Sequence, residues 1–317
     1  MTTGLLFVDK PQGLTSHDVV ARARRALNTR KVGHAGTLDP MATGLLTLGV
    51  GPATRLLTYL VGLDKTYETT VRLGAATTTD DAEGEITTRA STDAVSAVTD
   101  ELLIAGILEL TGVIDQRPSS VSAIKVDGRR AYDRVRSGEQ VELAPRRVTI
   151  SAFEVQAVRR SATADGLFID VDARIDCSSG TYIRALARDL GAGLAVGGHL
   201  TALRRTRVGP FEVADAVSLE ALAEQGASLL ASPAEVAARL FAVLEVDAAQ
   251  ARDLGHGKLL TLPEVPDTEP VAAIERGAGG EHPDRLVALI SVHDGRGRTL
   301  VGFPNETAGE SAQEAAP

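Results

Sequence analysis

"GHAGTLDPMATGLL", residues 33–46, sets a single carboxylate, Asp39, between a leucine and a proline in an apolar run broken by three glycines. A charge buried without a partner costs several kcal/mol, so either Asp39 faces water or a distant part of the chain compensates it. Residues 44–50 read as a buried-type strand, and Pro40 biases Asp39 away from the helical region. The acid is therefore presented from a loop directly ahead of a strand. Its ordinary reading is a helix N-cap followed by proline at the first helical position. Its chemical reading is an acid held at a reaction site. Glycines 33, 36 and 44 let backbone approach a ligand closely, and His34 is expected in the same loop.

Working outward, residues 4–9 suit a first strand, with no basic leader before them, and residues 11–13 a turn. Thr15 or Ser16 caps a helix through Leu27 that buries Val19, Val20 and Ala23 and points Arg22, Arg24 and Arg25 outward. Further helices are expected over 52–60 and 95–110, and strands over 67–73, 148–158 and 167–177. Residues 77–85, TTTDDAEGE, read as an acidic loop, and 116–147 as a long basic excursion with one short helix near 129–137. A helix from about 181 ends at Gly191, and LTALRRTRVG forms another strand. Helices and strands mix without a βαβ rhythm, which predicts an α+β fold with a mixed, largely antiparallel central sheet and flanking helices. The C-terminal part suggests a small β-rich unit whose DGRGR is a hairpin tip. The expected division is 1–235, 236–304 and a disordered tail over 305–317.

The net charge of -9 hides an asymmetry. Residues 1–60 carry 7 basic and 3 acidic side chains, 61–124 carry 4 and 11, 125–210 carry 15 and 10, and 211–317 carry 7 and 18. Two basic zones flank an acidic one, and a polyanion responds to local field more than to total charge. The lone cysteine, Cys177, forms no internal disulfide, and no apolar run approaches the roughly 20 residues of a membrane span. The expected compartment is the cytoplasm. GVGPAT, 49–54, imitates half a dinucleotide-binding loop but lacks the third glycine. One cysteine with scattered histidines predicts no metal site.

Six blocks, DKPQGLTSHDVV (9–20), GHAGTLDPMATGLL (33–46), KTYETTVRLG (65–74), SAIKVDGRRAYDRVRSG (122–138), CSSGTYIRALARDLG (177–191) and HLTALRRTRVG (199–209), occur in an order that resembles the bacterial tRNA pseudouridine synthase B family. The resemblance covers about 4–225 and thins beyond, where the chain is only loosely similar to a PUA-like module. It implies an isomerase that converts a flipped-out uridine in the T-loop of tRNA to pseudouridine, with no cofactor and no metal. Asp39 is then the essential carboxylate, Arg184 its cationic partner, and Tyr67 the residue stacked on the base and a candidate acceptor for the C5 proton. A cation within about 4–6 Å typically lowers an aspartate pKa. Tyr182 and Leu203 are expected to line the uracil pocket, and His34 to support the everted nucleotide.

Phosphate contacts are expected from Lys125, Arg129, Arg130, Arg146 and Arg147 in a thumb-like excursion over about 118–147, and from Arg204, Arg205 and Arg207. The partner implied is the T-arm of tRNA, with no membrane and no obligate protein partner, for a chain acting as a monomer. Two rival readings are a non-catalytic tRNA-binding or tRNA-folding protein, and the RNA-guided archaeal and eukaryotic branch of the same superfamily.

Overall fold

The computed structural model describes residues 2–119, 125–126, 129–130, 144–277 and 283–304. Strand β1 (Gly4–Lys10) leads into helix α1 (Ser16–Ala26), β2 (Val32–Ala35) and β3 (Thr43–Val50). The Thr15 side chain accepts from the Asp18 N–H while the Asp18 carboxylate takes the Thr15 N–H, a reciprocal cap that starts α1 where its apolar face begins. A 3-10 segment (Gly51–Leu56) runs into α2 (Leu57–Val61), then β4 (Lys65–Leu73), β5 (Ala75–Thr77) and β6 (Ile86–Arg89). Helices α3 (Thr92–Ser96) and α4 (Asp100–Glu109) precede β7 (Gly112–Gln116), β8 (Lys125–Val126) and β9 (Arg129–Arg130). The long hairpin β10 (Arg146–Thr163) and β11 (Gly166–Cys177) feeds α5 (Ile183–Gly193), β12 (Gly198–Val208) and β13 (Phe211–Glu212).

These strands form a nine-stranded sheet in the order β1-β3-β12-β4-β11-β10-β7, with β2 pairing β3 and β13 pairing β12. Every pairing in it is antiparallel except β3 with β12, which sets Thr43 against Arg204 and Gly44 against Arg205. The fold is α+β with a largely antiparallel central sheet, as expected. Its core joins β1, β3, β4 and β11 to α1 and α5 through Val8, Val19, Leu48, Val71, Ile175 and Leu186.

After α6 (Leu219–Gln225) and α7 (Pro233–Leu240), a second sheet forms from β14 (Ala242–Val246), β15 (Leu260–Thr261), β16 (Thr268–Glu275), β17 (Arg285–His293) and β18 (Arg296–Gly302), with α8 (Ala248–Gly255) packed on it. Asp294 and Gly295, both at positive φ, make the tight β17–β18 turn expected of DGRGR. A second core cluster brings Leu5, Leu45 and Phe211 of the large sheet together with Ala237 of α7 and Ala272 and Leu289 of the small one. The expected division at 235 falls inside α7. No described helix is long and apolar enough to cross a membrane.

Several expectations change. No helix follows Asp39: Pro40 and Met41 form a turn closed by the Ala42 N–H on the Asp39 carbonyl at 3.1 Å, so the acid is not an N-cap. His34 lies in β2, opposite Leu48, and not in the loop. The expected helix over 52–60 opens as a 3-10 segment, because Pro52 sits in its first turn with no side chain to cap it. Residues 95–110 divide into two helices at Thr99, whose hydroxyl caps the second. Of the expected helix near 129–137, Arg129 and Arg130 lie in a strand and the remainder falls outside the described residues, as does the tail over 305–317.

Gly44 is the tightest point of the β3–β12 junction. It has φ +97°, and a Cβ there would lie 2.2 Å from the Arg205 carbonyl oxygen. Gly44→Ala therefore has to prise the two strands apart, and chemical denaturation of the variant should show a loss of about 2–3 kcal/mol.

Candidate active site

The turn ahead of β3, the start of α5 and the facing strands β4 and β12 surround a cavity of about 300 Å³. Asp39, Tyr67, Tyr182, Arg184, Leu203 and Arg205 contribute to its walls. This size is at the small end for ligand pockets and suits a single planar base with part of its sugar.

The turn carrying Asp39 is fixed from both sides. The fully buried Lys10 ammonium donates to the carbonyls of Pro11 at 3.0 Å, Leu14 at 2.7 Å and Pro40 at 3.4 Å. Burial lowers this amine to about 8, and the nearby Asp39 carboxylate pulls it back up. Ser16 Oγ donates to the Leu38 carbonyl at 3.1 Å and accepts its N–H at 2.9 Å. On the far side Gln116 clamps the backbone of Tyr182, donating to its carbonyl at 3.0 Å and accepting its N–H at 2.8 Å. That clamp sets the entry of the chain into α5, where Arg184 follows two residues later.

Arg184 answers the question posed by Asp39. Its side chain is only 5% exposed, and its Nε lies 3.0 Å from Asp39 Oδ2. Its Nη1 lies 3.3 Å from Asp81 Oδ2 and donates to the Thr79 carbonyl at 2.8 Å. Asp81 is itself buried and held by the Thr79 hydroxyl and by the Glu83 N–H at 3.1 Å. One guanidinium thus spans two carboxylates, and the acidic loop over 77–85 supplies the second of them.

The expected lowering of the Asp39 pKa is not what results. Burial raises it above the ordinary carboxylate range, Arg184 opposes that rise, and the nearby Asp81 charge adds to it. The side chain is 38% exposed, but it opens onto a narrow pocket, so the hydration it gains there is limited and burial dominates. The ionised form of Asp39 is consequently held at some cost, beside a cation that is shared.

Tyr67, Tyr182 and Leu203 lie on the cavity wall. Burial pushes the Tyr67 phenol upward, against the pull of the Arg205 guanidinium, which faces Tyr67 across the β4–β12 pair. His34 is not among the residues that line the cavity, and it meets His17 edge-on at 5.5 Å. Arg146 and Arg147 are exposed at the start of β10. Lys125, Arg129 and Arg130 lie on the β8–β9 ribbon, and their side chains fall outside the described residues.

Arg205 is a correction. It is 1% exposed and donates to the carbonyls of Leu45 at 2.8 Å and Gly36 at 2.9 Å, so it meets no phosphate. Strand alternation explains this, since position 205 shares the inward side with Leu203. Arg204 is half-buried in a bidentate pair with Asp9 at 2.7 and 2.9 Å, and Arg207 is engaged by Thr66, the Gly209 carbonyl and Asp176. Three residues the sequence reading left out, Lys10, Asp81 and Gln116, hold the site. Only Lys10, at the inner end of a buried strand, carried a signal that could have marked it.

Three domain families match the chain. They are described as the TruB family pseudouridylate synthase N-terminal domain over 24–183, the tRNA pseudouridylate synthase B C-terminal domain over 184–244, and the tRNA pseudouridine synthase II C-terminal region over 241–304. A tRNA pseudouridine synthase B of Leifsonia xyli subsp. xyli is 57% identical over 304 residues, covering 95% of this chain and 97% of that protein. The protein of the same name from Arthrobacter sp. is 52% identical over 313 residues, covering 98% and 100%. Among solved structures, a chain of an H/ACA RNP bound to a substrate RNA containing 2'-deoxyuridine superposes with a TM-score of 0.67 at 24% identity, covering 96% of this chain and 86% of that one, a likeness of fold.

The raised Asp39 pKa has a consequence for stability. A carboxyl whose folded-state pKa lies above its unfolded value favours folding below the unfolded pKa, and that contribution is lost as pH rises through the folded one. Asp39→Asn removes the penalty at neutral pH, while Arg184 keeps Asp81 and the Thr79 carbonyl. Thermal unfolding at pH 7 should show a midpoint about 2 °C higher than wild type, with the gain vanishing in acid.

Proposed function

The chain belongs to the TruB family of tRNA pseudouridine synthases, isomerases acting on tRNA, and on that premise we propose that it modifies a uridine everted from the T-loop, with Asp39 as the essential carboxylate. The observation that carries this reading is the 3.0 Å contact between Asp39 and Arg184 at the wall of a cavity of base size that Tyr67 and Leu203 also line.

The chemistry asks three things of the site. The bond from C1′ to N1 must break, the freed uracil must stay in place while it turns, and C5 must join C1′ and lose its proton. Asp39 is the anion that meets the ribose, either attacking C1′ or removing the C2′ proton, and both routes require it ionised. Arg184 holds it in that form and in position. Tyr67 and Leu203 confine the detached base between an aromatic face and an aliphatic wall, with Tyr182 at the pocket edge. A neutral phenol, which burial favours at Tyr67, suits stacking on a planar base. The steps draw on side chains alone, with no metal or organic cofactor assigned a part.

Eversion costs a few kcal/mol of unstacking, which contacts along the T-arm must offset. The exposed Arg146 and Arg147, with the β8–β9 ribbon carrying Lys125, Arg129 and Arg130, are the proposed phosphate contacts. His34 is proposed to support the space vacated in the loop. Residues 1–235 are proposed as the catalytic unit and 236–304 as a PUA-like addition, in a monomer working in the cytoplasm. Neither a folding-only protein nor the RNA-guided branch is favoured, because the relatives matched over nearly the whole chain are named tRNA pseudouridine synthase B.

Incubation with an unmodified tRNA transcript and chemical mapping should place one pseudouridine in the T-loop. Asp39→Asn should bind the transcript within about twofold of wild type yet lower the single-turnover rate by at least ~10³-fold. Modification outside the T-loop would overturn the substrate assignment. In wild type the acid limb of the rate profile should fall above the ordinary aspartate range of about 3.9, since protonation of Asp39 removes the reacting form. Replacing Arg146 and Arg147 with glutamine should weaken binding on all tRNAs alike and flatten its dependence on log salt by roughly 1–2 units.

A further inference from the structure

We propose that Arg205 is a positioning residue for Tyr67, its guanidinium fixing the tyrosine hydroxyl and the Gly36 turn as one unit so that the ring meets the base at a set angle. This rests on the reading of Tyr67 as a base-stacking residue.

Arg205 is the largest fully buried side chain among the described residues. Its three kinds of contact lead to three separate segments. Nε donates to the Leu45 carbonyl in β3, Nη2 donates to the Gly36 carbonyl, and across the β4–β12 pair the guanidinium shares the cavity wall with Tyr67. Gly36 fits beneath it only as glycine, with φ +79° and a Cβ position 3.2 Å from Nη1. The backbone of Arg205 is already locked, because it faces Tyr67 in the antiparallel β4–β12 register and Gly44 in the parallel β3–β12 register. A planar fork with several fixed donors can hold two carbonyls and a hydroxyl simultaneously, whereas a lysine ammonium on a flexible stem cannot reproduce that spacing. Arg184 fixes the carboxylate on one wall of the cavity, and Arg205 fixes the aromatic ring on another.

The test is a double-mutant cycle read in single-turnover rates. Arg205→Lys should slow wild type by about 10–100-fold, with tRNA affinity and its salt slope unchanged, and should slow Tyr67→Phe by no more than about threefold. An equal cost in both backgrounds means that Arg205 only supports the fold, and the proposal fails. Loss of affinity with a flatter salt slope means that it contacts phosphate, and the proposal also fails. If Tyr67→Phe alone leaves the rate unchanged, the hydroxyl anchor has no role and the proposal fails, whereas an unchanged rate in Tyr67→Ala overturns the reading of Tyr67 as a stacking residue. A second measurement needs no arginine variant. In protein labelled with ¹⁵N-arginine, a slowly exchanging guanidinium resonance should move when Tyr67 becomes phenylalanine, and its staying put would overturn the contact.

Discussion

A guanidinium shared by two carboxylates is the constraint from which the rest of this site follows. Arg184 is almost wholly removed from solvent, so its charge needs compensation, and Asp81 provides it from a buried position that is not among the residues lining the cavity. Asp39 then completes the arrangement at the pocket wall, as a partner that can be drawn into reaction without leaving a buried cation unpaired. A simple pair would lose its only counterion at the moment the aspartate engaged a sugar. The triad of charges avoids that, and the raised Asp39 pKa is its cost.

Around this centre, the supports act on backbone more than on side chains. Lys10 gathers three carbonyls beneath the turn that carries Asp39, Ser16 exchanges two hydrogen bonds with Leu38, and Gln116 does the same with Tyr182. Each is a buried or nearly buried polar group whose hydrogen bonds are satisfied by main chain, so each locks the position of a segment and not merely of a neighbouring side chain. The turn that carries Asp39 is thereby tied by hydrogen bonds to β1 and to the start of α1.

Much of the fold was readable because the amphipathic patterns were strong. The cap at Thr15, the alternation in β4 and the hairpin at Asp294–Gly295 all obey local rules, and local rules are visible in sequence. Asp39 and Arg184 were readable only through a resemblance to known motifs, since neither residue's immediate neighbours announce the other. Asp81 was missed because TTTDDAEGE has the composition of a solvated turn, and nothing local tells which of its acids turns inward. Arg205 was misassigned by composition, as one of three arginines in LRRTR, although strand alternation with Leu203 already pointed it inside. The family relation and the isomerase activity stand on the matched domains and relatives, whereas the individual site roles are proposals carried by the resemblance and supported by the geometry.

The parallel seam between β3 and β12 joins segments far apart in the chain, with Arg205 bonding to residues 160 and 169 positions earlier. Long-range closure of this kind comes late in folding, because loop entropy must be overcome before such contacts reward it. A ribosome-bound chain that has emerged only as far as α5 therefore has Asp39, Tyr67 and Arg184 but not Leu203 and Arg205, the β12 part of the cavity wall. The cavity is complete only once β12 has inserted between β3 and β4.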